Sequence, residues 1–230
     1  MIIVVDTETT GLDPATASIV EIGVVELPGF NSFSCLIKPA HPIELQAMAA
    51  HHLTEEMVAD GAPFEDAIVA SMIKKADFVA AHNAAFDMGF LKIDKPSICT
   101  YRCARHLWPD APGYSNQVLR YWLKLDKQLG GSRGSEIMKL PPHRALPDAW
   151  VTAHILDVML QNPGEQEFRT PEELVELTKK PILMKTCAFG KHKGTEWAKV
   201  PKDYLAWMLR QKDFDADSIY TAKHHLGILT

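Results

Sequence analysis

The first apolar run of the chain ends in Val4-Val5-Asp6-Thr7-Glu8-Thr9-Thr10-Gly11-Leu12, with two carboxylates, Asp6 and Glu8, on alternate residues. Residues i and i+2 of a strand share a face, so the two acids stand side by side. They repel unless a cation lies between them, one holds a proton, or water screens an exposed turn. Two more acids sit at the ends of apolar elements: Asp87, in Ala81-His82-Asn83-Ala84-Ala85-Phe86-Asp87, and Asp148, in Pro141-Pro142-His143-Arg144-Ala145-Leu146-Pro147-Asp148. Carboxylates are costly on apolar helices without a partner. Four such acids point to oxygen ligands for hard cations, and oxygen-rich sets suit magnesium or manganese better than zinc. Two such ions ~3.5–4 Å apart can clamp a scissile phosphate, one activating water and the other stabilising the leaving oxygen. His143 then fits a general base for that water, since an unperturbed imidazole titrates near ~6.5. Each residue also has a plainer reading alone: a turn acid pair, Asn83 as a helix cap, Asp148 as a first-turn acid, His143 as a surface histidine. Their joint order and spacing favour the metal site.

These residues require elements to hold them. Apolar patterning predicts strands over 2–6, 19–27 and 33–38, with turns at 11–14 and 28–31, an antiparallel meander. The period then changes to give a helix over 64–74, a strand over 77–81 and a helix over 84–92, on which Asn83 and Asp87 share a face. A strand over 97–100 and helices over 101–107, 116–125 and 149–161 follow. The order implies a mixed sheet covered by helices. The polar stretch 128–139, rich in glycine and serine, is expected to close over a substrate and bring His143 into place.

The hydrophobic fraction of 47% and charged fraction of 23% are those of a soluble globular protein. Asp6 comes too early for a signal peptide's apolar core, and no run approaches the ~20 residues of a membrane span, so a cytoplasmic protein without membrane contact is expected. Cys35, Cys99, Cys103 and Cys187 lack C-x-x-C spacing, which favours free thiols over zinc or disulfides. A P-loop is absent. Charge is uneven: residues 1–180 carry 16 Lys+Arg against 24 Asp+Glu, whereas residues 181–230 carry 8 against 5. A boundary near Lys179-Lys180-Pro181 therefore separates a domain over 1–165 and a linker over 166–180 from a small basic C-terminal module over 181–230. The module should hold a hairpin around 189–194 and helices over 202–211 and 217–226. Lys191, His192 and Lys193 read there as a phosphate-contacting loop, and Tyr204 and Trp207 as core.

The segments Asp6-Thr7-Glu8-Thr9-Thr10-Gly11-Leu12, His82-Asn83-Ala84-Ala85-Phe86-Asp87 and His143-Arg144-Ala145-Leu146-Pro147-Asp148-Ala149 resemble the three motifs of the DEDD exonuclease superfamily, histidine branch, over about residues 1–160. The resemblance implies an α/β, ribonuclease H-like fold: a mixed five-stranded sheet flanked by helices, followed here by a small α+β module. It implies two Mg²⁺ ions, replaceable by Mn²⁺, on Asp6, Glu8, Asp87 and Asp148, with Asp6 bridging both and His143 as general base. Carried over likewise, Thr9 and Leu12 line the 3′-terminal base, His51 contacts the terminal nucleotide and Asn83 the DNA backbone. His52 stands where the family has glycine, and Pro147 lies beside the third-motif aspartate, in a first turn that tolerates proline. The expected activity is 3′ to 5′ exodeoxyribonuclease, releasing nucleoside 5′-monophosphates from single-stranded DNA or DNA 3′ ends, duplex ends included. Beside it stand an exoribonuclease acting on RNA, a proofreading-type exonuclease, and a nucleic-acid-binding module with a decayed site.

Overall fold

Runs of Val and Ile, which fit a pleated surface, build the first strands. In the computed structural model, which describes residues 1–127, 132–137, 139, 141–161 and 169–229, these are β1 (Ile2–Thr9) and β2 (Ile19–Leu27), followed by β3 (Asn31–Leu36), which contains neither residue. Short connections make them antiparallel neighbours. Helices α1 (Leu45–His51), α2 (Glu55–Val58) and α3 (Ile68–Lys75) follow. The chain then re-enters the sheet as β4 (Phe78–Ala81), parallel to β1, and through α4 (Ala84–Leu91) as β5 (Ser97–Cys99), parallel to β4. The result is a mixed five-stranded sheet of order β3-β2-β1-β4-β5. Helices α5 (Thr100–Leu107), α6 (Asn116–Trp122), α7 (Ser132–Ile137), α8 (Ala145–Gln161) and α9 (Pro171–Lys179) come next.

Alternation along β1 decides what each face meets. Ile2 and Val4 share a core with Ala149, Ala153 and Leu156 of α8, whereas Ile3 and Val5 share one with Ile73 of α3 and Ala84 and Leu91 of α4. Asp6 and Glu8 continue the α8 face, and Thr7 continues the α4 face. The site residues thus gather at the carboxyl ends of β1 and β4, where open α/β sheets place their clefts.

Several elements differ from the sequence reading. β1 runs past Asp6 because its pairing with β2 persists to Thr9–Ile19 after a register shift at Glu8/Thr9, a bulge beside the site. α1 and α2, of seven and four residues, are too short to show a period. The expected helix over 64–74 divides into a 3₁₀ turn, Phe64–Asp66, and α3, with Ala67 extended between them. The expected linker over 166–180 contains α9. Its first turn is a capping box in which Glu173 accepts the Thr170 N–H at 2.7 Å and Thr170 accepts the Glu173 N–H at 3.2 Å. Leu174 and Val175 enter the main core, and Thr178 Oγ1 accepts the Cys99 N–H at 2.9 Å, so the segment belongs with β5 rather than trailing from it. Of the stretch expected to close over a substrate, 128–131 and 138 lie outside the described residues, as does the 165/166 boundary; Ser132–Ile137 is helical.

The chain divides into two compact units, Met1–Thr178 and Lys179–Thr230. In the second, Trp197, Leu205, Met208 and Ala222 are core, and α10 (Lys202–Met208) and α11 (Ala216–Leu226) are its main elements. The expected hairpin reduces to one antiparallel bridge, Thr186–Glu196, around a 3₁₀ turn at Gly190–His192, so among the described residues this unit is helical rather than α+β. Gly190 and Gly194, at φ 61 and 85, bend the chain too sharply for a longer ladder. All four cysteines are free. Among the described residues no helix is long and apolar enough to cross a membrane.

Candidate active site

Glycine brings α8 onto the sheet. Gly23 pairs with Asp6 across β1 and β2, and a Cβ there would lie 2.5 Å from the backbone carbonyl of Ala145. Only the bare backbone lets the first turn of α8 come so near. Glu21, opposite Glu8, fixes that turn: Arg144 donates to both its oxygens, at 2.9 and 2.6 Å, and the Ala145 N–H donates at 3.0 Å. A carboxylate at a helix N-terminus satisfies free N–H groups and complements the dipole. Pro147 falls in the same turn without losing a helical bond.

Asp148 is thereby delivered to the β1 acids. Oxygens of Asp6, Glu8 and Asp148 lie within 4.8 Å of one another. Asp148 has donors on both oxygens, Gln117 Nε2 at 3.0 Å and the His143 N–H at 2.9 Å, while Asn116 holds its carbonyl at 3.1 Å. Among the described residues the carboxylates of Asp6 and Glu8 accept no hydrogen bond. Asp87 comes from the other face of the sheet on α4, buried, with one oxygen accepting the Thr7 N–H at 3.0 Å and the Thr7 hydroxyl at 2.8 Å. It stands outside the trio, and its charge adds to the repulsion on Asp6.

The electrostatics are those of crowded, poorly hydrated acids. Burial, then repulsion from Asp87, Asp148, Glu8 and Glu21, hold the Asp6 carboxyl well above the usual range. Burial and the neighbouring acids push Glu8 up to about 8. Burial lifts Asp87 to about 7 against the Thr7 bonds, and raises Asp148 against the bonds from His143 and Gln117. A divalent cation would relieve both causes at once, by replacing lost hydration and by screening repulsion. The oxygen-only donors fit such an ion.

His143 meets Asp6 and Asp148 at an open cleft of about 470 Å³. Its backbone is left-handed at φ 61, a conformation non-glycine residues rarely adopt, and its imidazole is exposed. Leu12 projects, 82% exposed. Asn83, also exposed and left-handed at φ 68, makes no side-chain cap to α4, so its amide is available. The buried Thr9 hydroxyl donates to the Gly11 carbonyl at 2.7 Å, shaping the turn that leads to Leu12. His51 departs from expectation. Its Nε2 donates to the Thr9 carbonyl at 3.2 Å and its Nδ1 accepts the Leu53 N–H at 3.0 Å, and burial lowers its pKa. Both nitrogens are engaged, so this histidine braces the Thr9–Gly11 turn instead of offering a polar contact.

Sequence reasoning missed Glu21, Gly23, Arg144, Gln117 and His82. His82 lines the cleft, donating from Nε2 to the Tyr114 carbonyl at 2.8 Å and pairing through Nδ1 with the Thr100 hydroxyl at 2.9 Å. It pins the loop that presents Asn116 and Gln117. Only its place one residue past an apolar strand hinted at this.

A mixed sheet with four acids and a histidine at its carboxyl edge defines a class, and the comparison agrees: the exonuclease family model matches residues 3–156, and the chain belongs to that family. It is an exonuclease, a phosphodiester hydrolase, and divalent-metal dependence is general in the family. Over 98% of its length it is 35% identical to Exodeoxyribonuclease 10 of Escherichia coli (strain K12), covering 99% of that protein. It is 34% identical to the DNA polymerase III subunit epsilon of Pasteurella multocida, over 71% of this chain and 68% of that one. Exonuclease X in complex with 5′-overhanging duplex DNA matches with a TM-score of 0.60 at 36% identity, over 77% of this chain and 99% of that chain. Exonuclease I of E. coli in complex with a dA16 oligonucleotide shares the fold, with a TM-score of 0.51 at 15% identity. The chain is thus a homologue of exonuclease X.

Proposed function

We propose that this exonuclease acts on DNA from the 3′ end, releasing nucleoside 5′-monophosphates, with two Mg²⁺ ions that Mn²⁺ can replace. The observation that carries the reading is the convergence of Asp6, Glu8 and Asp148 within 4.8 Å beside His143. Asp6, central among the acids, would bridge the ions, and Glu8, Asp87 and Asp148 would complete their ligands. Bound there, the ions supply charge neutralisation and acidify water.

The chain's own groups do the rest. The His143 imidazole takes a proton from the attacking water, and its main-chain bond to Asp148 holds it at the cleft. As the water oxygen bonds to phosphorus, the bond from phosphorus to the 3′ oxygen breaks. The leaving 3′ oxygen takes a proton from solvent water, so the shortened strand leaves with a 3′-hydroxyl and the terminal nucleotide with a 5′-phosphate. Leu12, on the turn that Thr9 and His51 brace, packs on the terminal base, and Asn83 donates to the DNA backbone. The preference for DNA, from single strands or from duplex 3′ ends, rests on full-length likeness to an exodeoxyribonuclease and to a protein solved with duplex DNA.

Digestion of matched 5′-labelled DNA and RNA oligonucleotides with Mg²⁺ tests this. A ladder shortening from the 3′ end, faster on DNA, lost in EDTA and much slower in His143→Ala, is expected. A faster RNA ladder would make the protein an exoribonuclease, and no ladder from a folded protein would remove the catalytic reading.

A further inference from the structure

The second unit carries a surface that hydrolysis does not use. Trp197 of this unit is 0% exposed, but Trp207 is 41% exposed, contrary to the core role its sequence context implies. The ring is held rather than loose: its centroid lies 5.2 Å from that of Tyr204 and 5.9 Å from that of Phe214. Lys191 reaches over the Tyr204 ring, its ammonium 5.1 Å from the centroid, and among the described residues it makes no ion pair. Gly190 permits that approach: it sits at φ 61, and a Cβ there would come 2.9 Å from the Tyr204 hydroxyl. Lys191, Asp203, Tyr204 and Trp207 line an open hollow of about 430 Å³. Asp203 is its one acid, and one of its oxygens already accepts the Tyr204 N–H at 2.9 Å.

We propose that this hollow is a single-stranded nucleic-acid platform, on which a base stacks against Trp207 while Lys191 neutralises the adjoining phosphate. Every base has a π-face, so a fixed, exposed indole beside an unpaired ammonium is a sequence-tolerant grip on a strand. Charge selects the occupant. Residues 1–180 carry 16 Lys+Arg against 24 Asp+Glu and repel a polyanion, whereas residues 181–230 carry 8 against 5 and attract one. The platform gives an acidic nuclease a second hold on the strand, in its basic unit. The inference rests on the exonuclease reading only in taking the ligand to be the substrate strand.

Binding of a labelled single strand of ~25 nucleotides, longer than one ~4–16 nucleotide site, is measured with the full-length protein in EDTA, where nothing is cleaved. Trp207→Ala should weaken it ~5–10-fold, and Trp207→Phe should retain most of the affinity. Lys191→Ala should reduce the slope of log affinity against log salt by ~0.7, which a merely structural role would not do. Wild-type affinity in a folded Trp207→Ala protein, or an unchanged salt slope in Lys191→Ala, overturns the platform. Should Trp207→Ala unfold, the exposed Lys191 variant decides alone. A wild type that binds the long strand in this manner but cleaves no oligonucleotide would remove the exonuclease reading and leave the platform standing.

Discussion

In the first unit Asp6, Glu8 and Asp148 crowd three like charges within 4.8 Å, whereas in the second a single cation, Lys191, rests on the face of Tyr204. The carboxylates are held against their own repulsion by Gly23, Glu21 and Arg144, and they gain only when a cation arrives. The aromatic hollow needs no counter-ion to be stable. Function and stability should therefore oppose each other in the first unit and stay independent in the second.

The sharpest way to break that contrast is Asp6→Asn. Turnover should fall by at least ~10³-fold if Asp6 holds the metal ions as proposed. The metal-free protein should nevertheless melt higher, by ~2–4 °C for each kcal/mol of relieved repulsion. A lower metal-free melting temperature would mean the acids are not mutually repelled. His143→Ala comes next, with kcat reduced ~10²–10⁴-fold and melting unchanged, since the ring is exposed. An unaltered kcat would remove the histidine from the chemistry.

Gly23→Ala should act through position alone. The added methyl meets the Ala145 carbonyl at 2.5 Å, so α8 must move and carry Asp148 with it. A stability loss of ~1–3 kcal/mol is expected from overpacking, and up to ~10²-fold in turnover from an ångström-scale displacement. Full activity at this position would show that the helix can be accommodated elsewhere. The same variant leaves long-strand binding by the second unit untouched if the two functions are separate.

Asp6 and Glu8 were legible because the strand period puts i and i+2 on one face, whereas the expected helical pairing of Asn83 with Asp87 is not formed: Asn83, left-handed at φ 68 and exposed, precedes α4, and Asp87 is buried. The partners that aim the site acids were not legible. Glu21 and Arg144 lie 123 residues apart in sequence, and their ion pair exists only once α8 lands on β2. Gly23 looked like an ordinary strand residue because the backbone it must clear is equally distant in sequence. Thr170 and Glu173 mark a helix start in the sequence, and the capping box they form puts α9 where a linker is expected. Trp197 and Trp207 are the same residue type in one small unit, and only folding decides which indole the core has room for.

The smallest effect, and the one most specific to crowded acids, is a dependence of stability on pH. Glu8 titrates at about 8 and Asp87 at about 7 in the folded chain, against ~4.3 and ~3.9 when unfolded. Between those limits the folded state holds protons that the unfolded state has released, so stability falls as pH rises. Buried histidines act in the opposite sense at lower pH. His154, lowered to about 4 by burial, makes the fold gain stability as pH rises from that value towards the unfolded ~6.5. The two trends offset each other below pH ~6.5, and above it the carboxylates act alone. Metal-free melting temperature should therefore decline between pH ~6.5 and ~8, and the increment produced by Mg²⁺ should grow over the same interval, because the ion displaces those protons. Differential scanning fluorimetry with EDTA and with Mg²⁺ measures both, and Glu8→Gln should flatten the decline. A metal-free melting temperature that rises across the interval would place the excess protons elsewhere, and the repulsion at the end of β1 would no longer distinguish that region from the aromatic hollow of the second unit.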